Sequence, residues 1–512
     1  MASPLSRRDF LKVAGLFSLG SALHKYRPPS LPSVQDHGEN VLILLFDAWS
    51  AQNMSLYGYK RETTPNLSRL AEKAIVYHRH FAGGHFTPPG TASLLTGTSS
   101  WTHRAFKYKS ASARLSNNIF SAFAPYHRWA YTHNPLVDDL LWQMLAAIDD
   151  HVPLESLYLK SDPLINTLFD ADEDTALVAW RRALKRLEEG HSYSLYLSPL
   201  YQYFHARDVA ELEPQFPRGL PMYEDLGLNF FTLEQGIDWL ANLMPEAPSP
   251  SLGYVHFLPP HDPYNSRKDF IDTFAQDGYT PPTKPLHVLE HTVTERRRRR
   301  LLRWYDEFIL YVDAEFARLF DLLERSGVLE NTWLVLTTDH GEMFERGILG
   351  HVAPVFHQPI SHIPLLIFPP GGDKRIDVNE NTSAMDLLPT LLHVTGQTIP
   401  SWAEGRILPP FTDVVSEAEE DITNLQVERF HQNGSVAQAT CMLVRGNLKL
   451  MWYFGHPQIE DEHEFVELYD LETDPGEVDN LYPRRKDIAK PMMDALQAKL
   501  NAFNRETQQS AN

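Results

Sequence analysis

The chain has 512 residues, 43% hydrophobic and 22% charged, with a formal net charge of −20. That length accommodates one large α/β domain and a smaller one, and the composition is that of an ordinary soluble globular protein. The acidic balance excludes a binder of phosphate backbones, so no nucleic acid is expected as a partner. A single cysteine, Cys441, excludes an intramolecular disulfide and a cysteine-rich metal site.

The N-terminus reads as an export signal. Ser6-Arg7-Arg8-Asp9-Phe10-Leu11-Lys12 matches the twin-arginine motif, and a short apolar stretch follows from Val13 to Leu23. That stretch is shorter than the about 20 residues of a membrane span and reads as a signal h-region. A periplasmic or extracytoplasmic location is expected, with the twin-arginine translocase as the export partner. Gly20-Ser21-Ala22 is a weak cleavage site, so an uncleaved signal is the one membrane anchor expected. Arg27 to Asn40, with three prolines, reads as a linker.

The remaining elements follow in chain order. Asn40 to Phe46 is a continuous apolar run, expected of a strand covered on both faces, and it stops at Asp47. Thr64 caps a helix that Pro65 opens. Thr87 to Gly97 reads TPPGTASLLTG, with a helix from about Gly90 and Thr87 just before it. The stretch 105–250 reads as helices and loops inserted near the mouth of the site, with a helical pattern over Glu173 to Glu189 and an aromatic run over Tyr193 to Phe204. A strand over Leu252 to Leu258 leads into Pro259-Pro260-His261-Asp262-Pro263-Tyr264. Glu295 and the arginines 296–300 read as the solvated start of a helix over Leu301 to Leu323. A strand over Thr332 to Thr338 leads into Asp339-His340-Gly341-Glu342, and a fourth over Ile363 to Phe368 ends at Pro369-Pro370-Gly371. Beyond residue 400 the pattern changes to strand–turn–strand over Cys441 to Tyr453, turning at Gly446-Asn447, then Glu467 to Leu481 and a closing helix.

Strands alternating with helices predict a mostly parallel sheet with helices on both faces, plus a small C-terminal α+β subdomain. The expected division is a signal and linker over 1–36, a catalytic domain over 37–400 and the C-terminal subdomain over 401–512. In such sheets ligands bind beyond the carboxyl ends of the strands, where Asp47, His261 and Asp339 all fall.

Three separated motifs carry a resemblance to the sulfatase family of the alkaline phosphatase superfamily: TPPGTASLLTG, Asp339-His340-Gly341-Glu342, and the ELYDLETDPGEVDNL run from Glu467. It covers about 40–105 and 250–490. The sulfatase signature begins with a Cys or Ser that becomes formylglycine. Here that residue is Thr87, which cannot be so converted, but phosphodiesterases and phosphoglycerol transferases of the wider superfamily use an unmodified Thr there.

The resemblance implies that Asp47, Asp339 and His340, with Thr87, bind one divalent ion. Ligands of this type suit Mn²⁺, Mg²⁺ or Ca²⁺, with Zn²⁺ as an alternative. Thr87 is the implied nucleophile, and an ion beside its hydroxyl makes the proton easier to lose. His261 aligns with a histidine that contacts the ester or protonates the leaving group, and His351 falls near a Gly-Lys pair that contacts the same group. Either imidazole suits an acid near neutral pH. Glu342 reads as a support rather than a ligand, and His256, His357 and His362 as structural histidines. Two departures stand out: Ala48 occupies the place of a second aspartate after the first strand, and Thr91 the place of an arginine four residues after the nucleophile.

The leading reading is an exported metal-dependent hydrolase or transferase of anionic phosphate esters, with diesters favoured, acting through a covalent Thr87 intermediate. Thr disfavours sulfate hydrolysis, because a formylglycine hydrate expels sulfate by collapsing to an aldehyde and a Thr ester has no such exit. The alternatives are a sulfuric ester hydrolase working without formylglycine, and a catalytically impaired sulfatase fold kept for ligand binding.

Overall fold

The computed structural model describes residues 38–110, 113–157, 207, 210–222, 230–290, 293–412, 421–459 and 464–511. The export signal, the helical pattern over 173–189 and the aromatic run over 193–204 lie outside these residues.

The strands are β1 (Asn40–Phe46), β2 (Ile75–Tyr77), β3 (His80–Phe81), β4 (His127–Thr132), β5 (Asp150–His151), β6 (Ser251–Phe257), β7 (Thr332–Thr337), β8 (Leu365–Phe368), β9 (Ile376–Val378), β10 (Thr382–Ser383), β11 (Ile422–Phe430), β12 (Val436–Arg445), β13 (Leu448–Phe454) and β14 (Glu464–Asp470). The main sheet has eight strands in the order β5-β4-β6-β1-β7-β8-β2-β9. β4, β6, β1 and β7 run parallel to one another, while β8 is antiparallel to both β7 and β2. β1 is central, and its residues alternate between two cores. Leu42, Leu44 and Phe46 pack on one face, Val41, Ile43 and Leu45 on the other. This is why β1 reads as an unbroken apolar run, and fully burying each such side chain is worth about 1.5–3 kcal/mol.

Helix α1 (Thr87–Thr96) packs on the second face through Ala92, Leu94 and Leu95. It begins at Thr87 itself rather than at Gly90, because the two prolines after Thr87 suit the first helical turn. Gly90 is required there: a Cβ would sit 2.3 Å from the Asp339 carbonyl oxygen. Helix α2 (Glu295–Arg325) packs on the first face through Tyr305, Phe308, Val312, Phe316 and Leu319. It starts six residues before Leu301, capped by the Thr294 side chain, which accepts from the Arg297 N–H. Arg296, Arg297, Arg299 and Arg300 are exposed on its first turns.

The stretch 105–250 is not only helices and loops. It adds β4 and β5 to one side of the main sheet, with β4 paired to β6 in register Thr132 to His256. The sequence His127-Arg-Trp-Ala-Tyr-Thr132 mixes polar and aromatic residues, so no continuous apolar run announces the strand.

The C-terminal sheet β11-β12-β13-β14 is antiparallel throughout. β12 and β13 turn at Gly446, whose φ of 56° is the left-handed value glycine tolerates. The closing helix Lys486–Ala511 covers one face through Met492, Leu496 and Phe503. The other face holds Met442, Met451, Tyr453 and Tyr469 against Phe356 and Ile360. Among the described residues no helix is long and apolar enough to cross a membrane.

Candidate active site

Four neighbouring parallel strands end at one place. β1 delivers Asp47, β7 delivers Asp339 and His340, β4 delivers His133 and Asn134, and His256 stands near the end of β6. The loop after β1 is held from several sides. The Asp47 N–H donates to Phe257 O at 2.9 Å and the Trp49 N–H to Thr338 Oγ1 at 3.1 Å. Tyr305 OH accepts from the Ser50 N–H at 2.9 Å and donates to Ala48 O at 2.6 Å. Ala48 adopts φ of 59°, a left-handed value uncommon outside glycine, and aims its N–H at Asp339 Oδ1 from 3.5 Å.

Asp47, Asp339 and His340 form a buried group whose ligand atoms lie within 4.8 Å of one another. His340 Nδ1–H donates to Gly341 O at 2.9 Å, so Nε2 presents its lone pair. That lone pair lies 3.5 Å from Asp47 Oδ1 and 3.6 Å from Asp339 Oδ2. Thr87 Oγ1 lies 3.3 Å from the same nitrogen. Asp47 Oδ1 is buried and makes no hydrogen bond among the described residues. Asp339 Oδ1 accepts from the His340 N–H at 3.0 Å and Thr338 Oγ1–H at 3.3 Å, and Thr91 Oγ1–H approaches Asp339 Oδ2 at 3.4 Å. Hard oxygens, one imidazole lone pair and an orphaned carboxylate oxygen converging on one point fit a divalent cation.

The electrostatics agree. Burial, and then the charge of Asp47, push the Asp339 carboxyl up to about 6. Burial also works against the Asp47 carboxylate, but His261, His256 and His340 outweigh it and hold Asp47 well below the ordinary carboxylate range. Burial holds His340 well below the usual imidazole value, which keeps it neutral and able to ligate.

Two further histidines face this group. His351 Nδ1–H donates to Glu342 Oε1 at 3.0 Å, and its ring centroid lies 4.3 Å from that of His340 and 4.9 Å from that of His261. His261 Nδ1–H donates to Asp262 O at 2.7 Å. Burial pulls His261 down, but Asp262, Asp47 and Glu342 together raise it to about 9. His351 is also raised, burial being outweighed by Glu342. With its value at about 9, the His261 ring is cationic near neutral pH.

The structure thus brings all six sequence-derived residues, Asp47, Thr87, His261, Asp339, His340 and His351, to one locus. It also corrects one assignment. His256, read as structural, places Nε2 3.1 Å from Asp47 Oδ2 and 4.0 Å from Asp339 Oδ2. Asn134, which the sequence did not single out, donates from Nδ2 to Asp47 Oδ2 at 2.6 Å. His362 is structural, accepting or donating between Gln52 Nε2 and His78 O.

His287, His357 and Glu467 form a second buried group with metal-like spacing, but its protons argue otherwise. The Leu289 N–H donates to His287 Nδ1 at 3.1 Å, so the ring proton is on Nε2, 3.5 Å from Glu467 Oε2. His357 faces Glu477 Oε2 at 3.1 Å through Nδ1 and Glu467 Oε2 at 3.3 Å through Nε2. A ring between two carboxylates is an imidazolium donor. Lys449 Nζ completes the network, 2.8 Å from Glu477 Oε1. This is an ionic network joining the C-terminal sheet to the segment around His357.

The Sulfatase family model matches residues 39–124 and 198–397, and the model described as N-sulphoglucosamine sulphohydrolase, C-terminal, matches 354–506. A choline-sulfatase of Rhizobium meliloti is 28% identical over 248 residues, 44% of this chain and 45% of that protein. An arylsulfatase K of Bos taurus is 25% identical over 212 residues, 41% of this chain and 38% of that protein; the chain therefore matches less than half the length of these two relatives. An arylsulfatase of Clostridium perfringens is 22% identical over 474 residues, 86% of this chain and 90% of that protein. In three dimensions the chain is similar to a phosphonate monoester hydrolase of Agrobacterium radiobacter, with a TM-score of 0.62 and 20% identity over 91% of this chain and 96% of that one.

Proposed function

The chain belongs to the sulfatase family, and from that premise we propose that it is an exported, metal-dependent hydrolase or transferase of phosphate esters, with diesters favoured. The observation that carries this reading is Thr87: an unmodified hydroxyl at the first position of α1, 3.3 Å from His340 Nε2 and beside the Asp47–Asp339 pair. Asp47, Asp339, His340 and Thr87 would hold one divalent ion, Mn²⁺, Mg²⁺ or Ca²⁺ favoured and Zn²⁺ the alternative. Such an ion supplies positive charge that eases loss of the hydroxyl proton and offsets charge on the ester oxygens.

Thr87 Oγ1 attacks phosphorus as its hydroxyl proton passes to solvent water and the bond to the leaving oxygen breaks. That oxygen takes a proton from His261 or His351, which their carbonyl and carboxylate partners orient. The N-terminus of α1 favours negative charge on the ester held at Thr87. Water or an acceptor alcohol then attacks the phosphoryl group, giving its proton back to the same histidine, and the Thr87 oxygen leaves and regains a proton from solvent water.

Turnover of chromogenic phosphate mono- and diesters, compared with sulfate esters in the presence of Mn²⁺, Mg²⁺, Ca²⁺ or Zn²⁺, tests the reading. Diesters are expected to be the faster substrates. Faster sulfate turnover supports the second reading, a sulfuric ester hydrolase, which the choline-sulfatase and arylsulfatase relatives favour. Bound metal without any turnover supports a binding protein, for which Ala48 and Thr91 are the sequence argument.

A further inference from the structure

Asp47 has two carboxylate oxygens in different surroundings. Oδ1 is bare and faces His340 Nε2. Oδ2 accepts two hydrogen bonds, from Asn134 Nδ2 at 2.6 Å and from His256 Nε2 at 3.1 Å. Both donors are oriented in turn. The Asn134 side-chain oxygen accepts the Leu136 N–H at 2.8 Å as N-cap of the helix Pro135–Met144, which turns the amide nitrogen toward Asp47. A carboxylate has no proton to give, so His256 Nε2 carries the hydrogen, and its Nδ1 is paired with Tyr254 OH at 3.0 Å. Asn134, His256, Tyr254 and Asp47 are all buried.

We infer that Asn134 and His256 are positioning residues that clamp Asp47 Oδ2, so that Asp47 offers the ion a single oxygen, Oδ1, in a fixed direction. The inference rests on the metal site proposed above. Ala48 provides no second carboxylate at this strand end, so the aim of the one that remains depends on its neighbours. Asn134 lies outside the spans 39–124 and 198–397 that the Sulfatase family model matches. The clamp therefore draws one of its two donors from outside those spans. His256 comes from β6 and Asn134 from the end of β4, the two strands stacked beside β1. Hydrogen-bond partners of metal ligands fix ligand orientation and raise metal affinity.

The test is calorimetric titration of Mn²⁺ alone into chelator-treated full-length protein, with thermal unfolding of each metal-free variant as a check on folding. Wild type is expected to bind one Mn²⁺ and Asp339→Asn to lose it. Asn134→Ser keeps a helix cap but is too short to reach Asp47, and His256→Leu removes the donor. Each should weaken Mn²⁺ binding about 10–100-fold. His256→Gln, which retains an N–H, should recover most of the loss, a rescue that simple packing would not give. If His256→Leu does not fold, Asn134→Ser and His256→Gln decide between the outcomes. Wild-type affinity in Asn134→Ser and His256→Leu, with Asp339→Asn still defective, overturns the clamp and leaves the metal site standing. Absence of Mn²⁺ binding by wild type, or unchanged binding by Asp339→Asn, overturns the metal site and the clamp together.

Discussion

His340 Nε2 and Asp47 Oδ1 face each other across 3.5 Å, and neither atom carries a proton to share with the other. Two lone-pair atoms at that spacing repel unless a cation lies near both, and the adjacent Asp339 adds a second carboxylate. One divalent ion per chain is expected after purification in metal-replete medium. Asp339→Asn should cut metal content to below about a tenth of wild type while circular dichroism stays unchanged, as removal of a charged ligand predicts. Elemental analysis of the two proteins decides the matter.

Thr87→Ala is expected to lower turnover by at least about 1,000-fold, the scale of losing a nucleophile, while most metal affinity remains. Thr87→Ser should keep measurable activity, since the hydroxyl survives. Thr87→Cys should remain a thiol, because Pro88-Pro89-Gly90-Thr91 lacks the arginine that the formylglycine-generating machinery of sulfatases reads. Mass spectrometry of wild type quenched during turnover should find a phosphoryl group on the Thr87 peptide. Full activity in the Ala variant rules the hydroxyl out as nucleophile.

His261 is raised to about 9 by Asp262, Asp47 and Glu342 against the pull of burial. A proton donor of this kind works in its charged form, so activity is present below that value and is lost as pH rises through about 9. The ratio kcat/KM should show this alkaline limb, and His261→Gln should abolish it or hand it to His351. An identical limb in the variant assigns the acid elsewhere.

Lys449 and Glu477 are both fully buried and lie 2.8 Å apart. Removing one partner of such a pair strands the other charge, at a cost of about 3–5 kcal/mol. Glu477→Gln should therefore destabilise the protein by that amount in urea denaturation. The double variant Lys449→Met/Glu477→Gln should be less destabilised than the single one. Glu477 is held below its ordinary value, burial being outweighed by Lys449 and His357. Its contribution is present at neutral pH and is lost as the solution is acidified, so the wild-type advantage over Glu477→Gln should shrink in acid.

The proposed export rests on Arg7 and Arg8. Replacing both by Lys should leave the protein in the cytoplasm, as cell fractionation would show. Unchanged export of that variant removes the twin-arginine assignment.

Much of the frame is legible in one dimension because its physics is local. A strand covered on both faces reads as a near-continuous apolar run, so Val41 to Phe46 and Trp333 to Leu336 announce themselves, and the aspartates that follow them, Asp47 and Asp339, mark the ligand edge of the sheet. Thr87 and the Asp339-His340-Gly341-Glu342 run are compact motifs that survive without neighbours. Strand order is different. That His256 lies beside Asp47 across 209 residues, and Asn134 across 87, follows from β6 and β4 stacking in that order beside β1. The mixed polar and aromatic residues of β4 and the place of His256 inside β6 carry no local mark of that neighbourhood. The sequence by itself determined which groups meet at the candidate site; the sheet's long-range pairing decided which groups hydrogen-bond to them, because a hydrogen bond to a buried carboxylate depends on where two strands end in space.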